Sequence, residues 1–168
     1  SLTGHLVLST LHTNSAPESI ARLLEMGLDP FNFSDSLLAI LAQRLVRRLC
    51  TACRVPQPLN AVQQNDLAEQ YLASTPDYSS EARAAQIARW RKSYGKPDGS
   101  LSLWRRGGCE KCEQGGYHGR LGLHELMLSD DAIRQHIRHR APATEIRHSA
   151  LAAGMRTLRQ DGIEKADR

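Results

Sequence analysis

The 168-residue sequence lacks the features that mark membrane and secreted proteins. No apolar run approaches the 18 or so residues of a membrane-spanning helix, because the richest stretch, residues 37–46, is interrupted by Gln43 and Arg44. No secretory signal peptide is visible. Aromatic residues are few, with two Trp, four Tyr and two Phe. We therefore expect a cytoplasmic protein without membrane insertion.

Phosphate-binding loops are also missing from the sequence. There is no GxxxxGK[ST], no GxGxxG that opens a helix, and no GxSxG. Asp161, Glu125 and Glu145 show no paired spacing typical of acid–base catalysis. By itself, this chain is not expected to bind or hydrolyse a nucleotide.

The charge balance is mildly basic and excludes few classes of function. There are 22 Lys and Arg against 18 Asp and Glu, which gives a net charge of +4 and a pI near 9.1. This balance permits contact with phosphate or anionic lipid but does not require it.

The chain has only four cysteines, and they form two CxxC pairs, Cys50 with Cys53 and Cys109 with Cys112. Two thiolates in one tight turn can bind a single metal ion, and a second such turn completes a tetrahedral site. Four soft sulfur ligands favour Zn²⁺ in a closed structural site. The pattern predicts one structural zinc ion per chain, with a disulfide or a redox CxxC as the alternatives.

The spacing between the two pairs is unusual for a zinc ribbon. Fifty-five residues separate Cys53 from Cys109, where about 15–20 are typical. Two helices are predicted in this interval, over residues 60–73 and from Ser79 or Ser80 to Tyr94. Residues 54–107 are therefore interpreted as a helical insertion between two metal-binding turns.

The N-terminal segment predicts part of an α/β unit. Residues 5–11 have the continuous apolar character of a strand covered on both faces. A capping box from Ser15 to Glu18 then predicts a helix that stops at Gly27. His5 and His12 bracket the strand, and His12 falls at its carboxyl end, where ligands bind in open α/β sheets.

A long helix is predicted next, from Asp29-Pro30 to about Leu49. Its apolar residues recur at helical spacing, and three arginines gather near its C-terminal end; these residues are Leu37, Leu38, Leu41, Leu45, Leu49, Arg44, Arg47 and Arg48. The arginines are interpreted mainly as a solvated face.

The second half of the chain predicts strands at residues 101–104 and 120–126. Helices follow over residues 129–138, 144–152 and from Met155 onward, with N-caps at Ser129 and Thr144. His118 and His124 lie near the second cysteine pair, but four thiolates already complete the ligand set, so neither histidine is expected to bind the metal.

Several motifs of the sequence closely resemble those of one protein family. Residues 3–14, Thr-Gly-His-Leu-Val-Leu-Ser-Thr-Leu-His-Thr-Asn, resemble the histidine box of the ATPases of type II secretion and type IV pilus assembly (GspE/PulE/PilB-like traffic ATPases). The resemblance continues, in the same order, through residues 22–27, 43–53, 108–112, 116–122, 154–158 and 161–162.

The resemblance implies the end of a RecA-like P-loop ATPase core in an α/β chain. In that family the full protein is a homo-hexamer on the cytoplasmic face of the bacterial inner membrane. It binds ATP and Mg²⁺ and works with inner-membrane platform proteins to assemble a pilus or pseudopilus and export protein. His12 and His5 would carry the histidine box, which senses phosphate. The Walker A and Walker B segments would lie before residue 1, because both ends of the sequence are expected to be cuts through a longer protein.

The same resemblance implies three parts in the chain. Residues 1–49 would hold the histidine box and the long helix, which would act as a lever. Residues 50–126 would form the tetracysteine zinc-binding subdomain, and residues 127–168 a truncated C-terminal helical bundle. The tetracysteine site marks the assembly and secretion branch of the family.

The alternative function is a stand-alone zinc-ribbon module that binds nucleic acid or protein. Nucleic-acid binding would need a basic face interleaved with aromatic residues. The candidates are Trp90, Tyr94, Trp104, Arg89, Arg91 and Lys92. Because this alternative leaves the histidine box unexplained, no nucleic-acid partner is expected.

Overall fold

A computed structural model describes residues 4–75 and 77–166 of the chain. It is an α/β structure with seven α-helices and four strands in the described residues. In chain order these are α1 (Ala16–Glu25), α2 (Pro30–Ser36), β1 (Ala39–Leu49), β2 (Val55–Pro58), α3 (Ala61–Leu72), α4 (Ser80–Tyr94), β3 (Ser102–Arg105), β4 (Tyr117–Leu128), α5 (Asp131–Arg138), α6 (Ala143–Ala152) and α7 (Leu158–Lys165). A short 3₁₀ turn covers Glu110–Cys112.

The chain forms two compact units, each built from two segments. Unit 1 contains residues 1–43 and 124–158, and unit 2 contains residues 44–123 and 159–168. Strands β1 and β4 pair with each other, and two of the three boundaries fall inside these strands, while the third falls at the start of α7. The division into parts at residues 49 and 126 stays a prediction.

Unit 1 has an aliphatic core built from helices α1, α5 and α6. Its fully buried residues are Ala16, Ile20, Met127, Ile133, Ile137 and Ile146, and they pack together. Asp130 caps α5 by accepting a hydrogen bond from the backbone N–H of Ile133 at 2.8 Å. The predicted caps of α5 and α6, Ser129 and Thr144, are wrong, because Asp130 and Pro142 occupy those positions.

Unit 2 contains the predicted helical insertion and a two-stranded ribbon. Helix α3 has a capping box formed by Asn60 and Gln63, and the Ser79 hydroxyl accepts a hydrogen bond from the N–H of Ala82 at the start of α4. Strand β2 pairs antiparallel with β3. The two predicted helices of the insertion are therefore confirmed.

An aromatic cluster forms the core of unit 2. The rings of Tyr71 in α3 and Trp90 in α4 meet edge to face, with centroids 5.3 Å apart. Helix α7 contributes Glu164, whose carboxylate accepts hydrogen bonds from the indole N–H of Trp90 at 3.4 Å and from the Tyr94 hydroxyl at 2.5 Å. Gln160 donates to the Tyr71 carbonyl at 3.1 Å. From residue 159 onward, α7 thus packs with the insertion.

The predicted long helix to Leu49 is wrong. The helix in this region, α2, ends at Ser36, and residues 39–49 form strand β1. The segment consists largely of Leu, Ala, Gln and Arg, which have high helix propensity. Pairing with β4 overrides that preference, because a strand gains its hydrogen bonds from a neighbour that local sequence does not reveal. The long helix that was predicted to act as a lever is therefore excluded.

The predicted strand over residues 5–11 is also absent. These residues have no regular secondary structure, and Leu6 and Leu8 are 74% and 89% exposed. No segment among residues 4–75 and 77–166 pairs with them, and an apolar strand needs such neighbours to satisfy its backbone and cover its faces.

The capping box at Ser15 does not form either. Ser15 occupies the N-cap of α1, but its side chain makes no capping hydrogen bond. Its hydroxyl instead accepts a hydrogen bond from the guanidinium of Arg147 at 3.2 Å. The cap of α1 comes from a distant carboxylate, described below.

Candidate metal centre

The first cysteine turn begins where β1 ends. Cys50 is buried, and its carbonyl accepts hydrogen bonds from the N–H groups of Cys53 at 3.2 Å and Arg54 at 2.9 Å. These two bonds close the chain into a tight turn that brings the side chains at positions 50 and 53 to the same side.

The second cysteine turn repeats this geometry before β4. The Cys109 carbonyl accepts from the N–H groups of Cys112 at 3.2 Å and Gln114 at 3.0 Å. Glu113 and Gln114 have positive φ values of 50° and 62°, and the turn ends at Gly116 with φ 72°. Glycine is required there because a Cβ at position 116 would lie 2.4 Å from a backbone oxygen.

Backbone contacts hold the two turns together. The N–H of Cys50 donates to the carbonyl of Gly116 at 3.0 Å, and the N–H of Gly116 donates to the Cys112 sulfur at 3.3 Å. Gly107 passes so close to the first turn that a Cβ there would lie 2.0 Å from the Cys53 carbonyl oxygen. The flanking glycines thus permit a close approach that larger residues would block.

The four sulfur atoms form a cluster of the size that one zinc ion requires. The Sγ atoms of Cys50 and Cys109 lie 3.9 Å apart, and Cys112 lies 3.7 Å from Cys53 and from Cys109. All four ligand atoms lie within 4.8 Å of one another. A tetrahedral ion with bonds of about 2.3 Å places its sulfurs about 3.8 Å apart. The predicted clustering of the four cysteines is confirmed, and the donor set fits Zn²⁺.

The thiols differ in how readily they ionise. Desolvation, together with hydrogen bonds to the other three sulfurs, raises the pKa of Cys53 to about 12. Desolvation also opposes ionisation of Cys112, but hydrogen bonds with the backbone of Cys109 and Gly116 outweigh it and lower the pKa of Cys112 to about 7. A bound dication would stabilise the Cys53 thiolate, whose formation desolvation opposes.

We expect the apparent zinc affinity to rise with pH. Because the pKa of Cys53 is about 12, its proton must leave at neutral pH when the metal binds, and below pH 7 the proton of Cys112 also competes with the metal. Each displaced proton changes the affinity by about tenfold per pH unit. Competition with a chromophoric chelator at pH 6, 7 and 8 measures this slope. An affinity independent of pH would contradict this expectation.

No histidine joins the cluster. Among the residues that the structure describes, the group able to hold a metal contains cysteines alone. His118 and His124 are exposed on β4. Their predicted exclusion from the ligand set agrees with this geometry.

The two histidines of the N-terminal segment lie in a part of the chain without regular secondary structure. His5 and His12 are both exposed. Three residues after His12, the chain enters the buried start of α1. Their predicted role in phosphate sensing stays a prediction.

Two arginines beside the metal-binding turns stack on aromatic rings. These contacts were not predicted from the sequence. The guanidinium carbon of Arg54 lies 4.0 Å from the ring centroid of Trp104, and that of Arg47 lies 4.4 Å from the ring of Tyr117. Cross-strand partners of this kind become visible only once the strand pairing is known.

The aromatic residues proposed for nucleic-acid binding are engaged elsewhere. Trp90 is 4% exposed in the core of unit 2, and Tyr94 donates to Glu164. Trp104 stacks under Arg54. Stacking on bases requires exposed rings, and the buried ring of Trp90 does not meet this requirement.

Within the described residues, no helix is long and apolar enough to cross a membrane.

Comparison with known proteins relates the whole chain to one family. The model of the family described as "Type II/IV secretion system protein" matches residues 1–168. "Type II secretion system protein E" of Klebsiella pneumoniae is 45% identical over 166 residues, which cover 99% of this chain and 28% of the relative. "Type IV pilus assembly ATPase PilB" of Thermus thermophilus is 42% identical over 168 residues, or 98% of this chain and 16% of the relative.

"Type II secretion system protein E" of Dickeya dadantii gives the same result. It is 43% identical over 166 residues, which cover 98% of this chain and 27% of the relative. The chain therefore spans between about a sixth and a quarter of the length of these relatives.

Proposed function

Since this chain belongs to the family of type II/IV secretion system proteins, we propose that it is the C-terminal portion of a hexameric secretion or pilus-assembly ATPase. The full protein would couple ATP hydrolysis to the assembly of a pilus or pseudopilus and to protein export. The observation that carries this proposal is similarity along the whole chain to relatives from both systems, one of which is named an ATPase.

The chain would contribute the end of a RecA-like core and a C-terminal helical part, without the loops that bind phosphate. It lacks the Walker A pattern, so ATP and Mg²⁺ would bind elsewhere in the full protein. The isolated chain is then inactive as an ATPase. Within the hexamer, His12 and His5 would reach the phosphates of the bound nucleotide, where an imidazole donates a hydrogen bond to a phosphate oxygen. The exposure of both side chains supports this role.

One zinc ion per chain would be held by Cys50, Cys53, Cys109 and Cys112. Its contribution is structural, because four protein thiolates leave no open coordination position for a substrate or water. The ion would tie together two turns separated by 55 residues, in a unit whose remaining core is small. This tetracysteine centre supports the assembly and secretion branch.

The full protein would act in the bacterial cytoplasm as a peripheral protein of the inner membrane. Its partners would be further copies of itself and the platform proteins of the secretion or pilus machinery. The family membership supports this location.

The His12→Ala variant tests the function in the full-length hexamer. We expect its kcat for ATP hydrolysis to fall about tenfold, because one charge-assisted contact to the transferred phosphoryl group is lost. His148, exposed on α6, supplies the control variant His148→Ala, which is expected to retain wild-type turnover.

Two results would count against the proposal. A full-length wild-type protein without ATPase activity would refute the ATPase function. An active protein whose turnover does not change in His12→Ala would refute the sensor role alone.

A further inference from the structure

Glu125 is a buried carboxylate of unit 1 that the metal centre does not use. Its side chain lies on β4 and the residue is 2% exposed. Oε1 accepts a hydrogen bond from the N–H of Ala16 at 2.8 Å, and Oε2 accepts one from the N–H of Leu158 at 3.3 Å. Ala16 and Leu158 are the first residues of α1 and α7. One carboxylate thus caps two helices.

The chemistry of this position favours a carboxylate over any neutral side chain. Both oxygens face backbone N–H groups at helix N-termini, where the helix dipole stabilises negative charge. A glutamine has the same shape, but its amide offers only one oxygen and would turn an NH₂ group toward the second N–H. Because the amide can turn its oxygen toward either N–H, each buried donor lacks an acceptor in part of the molecules, and both caps are weakened.

The contacts at the start of α1 converge on the residues that follow His12. The Thr13 and Ser19 hydroxyls lie 2.6 Å apart, and the Ser15 hydroxyl accepts from Arg147. Glu125 completes this set at the first helical residue. A turn joins the exposed segment that contains His12 to the start of α1. The position of this turn therefore depends on Glu125.

We propose that Glu125 is a positioning residue that sets the place of His12 for nucleotide sensing. The inference rests on the proposed function. Glu125 does not contact the nucleotide; it acts by holding the N-terminus of α1, and with it the turn that carries His12.

The first test measures amide hydrogen exchange in the full-length protein. In Glu125→Gln, exchange at Ala16 and Leu158 and across residues 13–19 is expected to accelerate at least about tenfold, the effect of losing a cap worth roughly 1.4 kcal/mol. The control is Glu145→Gln, which makes the same chemical change at an exposed carboxylate on α6. Unchanged exchange in Glu125→Gln would overturn the proposal whether or not the protein hydrolyses ATP.

The second test asks whether Glu125 acts through His12. We expect Glu125→Gln to lower kcat about tenfold with little change in KM for ATP, since a misplaced group costs transition-state stabilisation. Added to His12→Ala, it should lower kcat no further, because coupled residues are not additive. Multiplied effects in the double variant would overturn the proposal.

A conservative variant distinguishes loss of the positioning role from a general folding defect. Glu125→Asp keeps two acceptor oxygens on a shorter side chain, so its kcat and exchange rates should lie between those of wild type and Glu125→Gln. A loss of kcat that follows the folded fraction in all three proteins would assign Glu125 a purely structural role. If the wild-type protein has no ATPase activity but exchange is faster in Glu125→Gln, the proposed function and the sensing role are refuted. The role of Glu125 in capping α1 is then still supported.

Discussion

Replacing Cys112 by serine is expected to abolish stoichiometric zinc binding. The Cys112 sulfur lies 3.7 Å from the sulfurs of both Cys53 and Cys109, and it receives the Gly116 N–H. A hydroxyl is a much poorer zinc ligand than a thiolate. Loss of a residue that only hydrogen-bonds a metal ligand lowers metal affinity by up to about 100-fold, so loss of a ligand itself should lower the zinc affinity by more than that. At a free zinc concentration 100 times the wild-type Kd, the bound ion contributes about 2.7 kcal/mol to stability, and a 100-fold weaker site loses all but about 0.4 kcal/mol of it.

Elemental analysis of the purified protein, combined with limited proteolysis, measures both consequences. The wild type should contain one zinc ion per chain, and Cys112→Ser close to none, with new cleavage in residues 50–54 and 107–116. The control is His118→Ala, since His118 lies outside the cluster and should leave the zinc content unchanged. A wild type without metal, or a disulfide between the cysteine pairs, would refute the zinc site and favour a redox role.

Truncating Trp90 to alanine is expected to destabilise unit 2 by about 3–5 kcal/mol, the range for a buried Trp. The side chain is almost fully buried and meets the Tyr71 ring edge to face. Its loss also leaves Glu164 without the indole donor. Urea unfolding followed by circular dichroism, with zinc present in excess, measures the change in the free energy of unfolding.

A matched control on the same insertion separates packing from surface effects. Val62 lies on α3 with 67% of its surface exposed, so Val62→Ala should change stability by less than about 0.5 kcal/mol. If Trp90→Ala kept full stability and instead lost affinity for single-stranded RNA or DNA, the core assignment would be wrong. The nucleic-acid module would then become the better interpretation.

Much of unit 2 was predictable because its signals are local. Asn60 and Gln63 cap α3 within four residues, and Ser79 caps α4 in the same way. Each CxxC turn is closed by hydrogen bonds between residues at most five positions apart. Interactions between residues this close in the sequence can be predicted from the local residue types, without knowledge of the rest of the fold.

The strand β1 shows where local signals mislead. Leu37, Leu41 and Leu45 recur at helical spacing, yet Leu41 and Leu45 are more than half exposed on a strand. The residues of this segment are good helix formers, and only the pairing with β4 makes the extended conformation favourable.

By itself, the sequence determined the four clustered cysteines, the helices of the insertion and the family. These follow from residue types at short, regular spacing. Only the tertiary structure decided that β1 is a strand, that the four cysteine sulfurs lie within 4.8 Å of one another, and that Glu125 caps α1 and α7. The partners of Glu125 lie 109 and 33 residues away in the chain. Strand pairing and distant caps satisfy backbone groups across long separations, and no local pattern records which partner will be near.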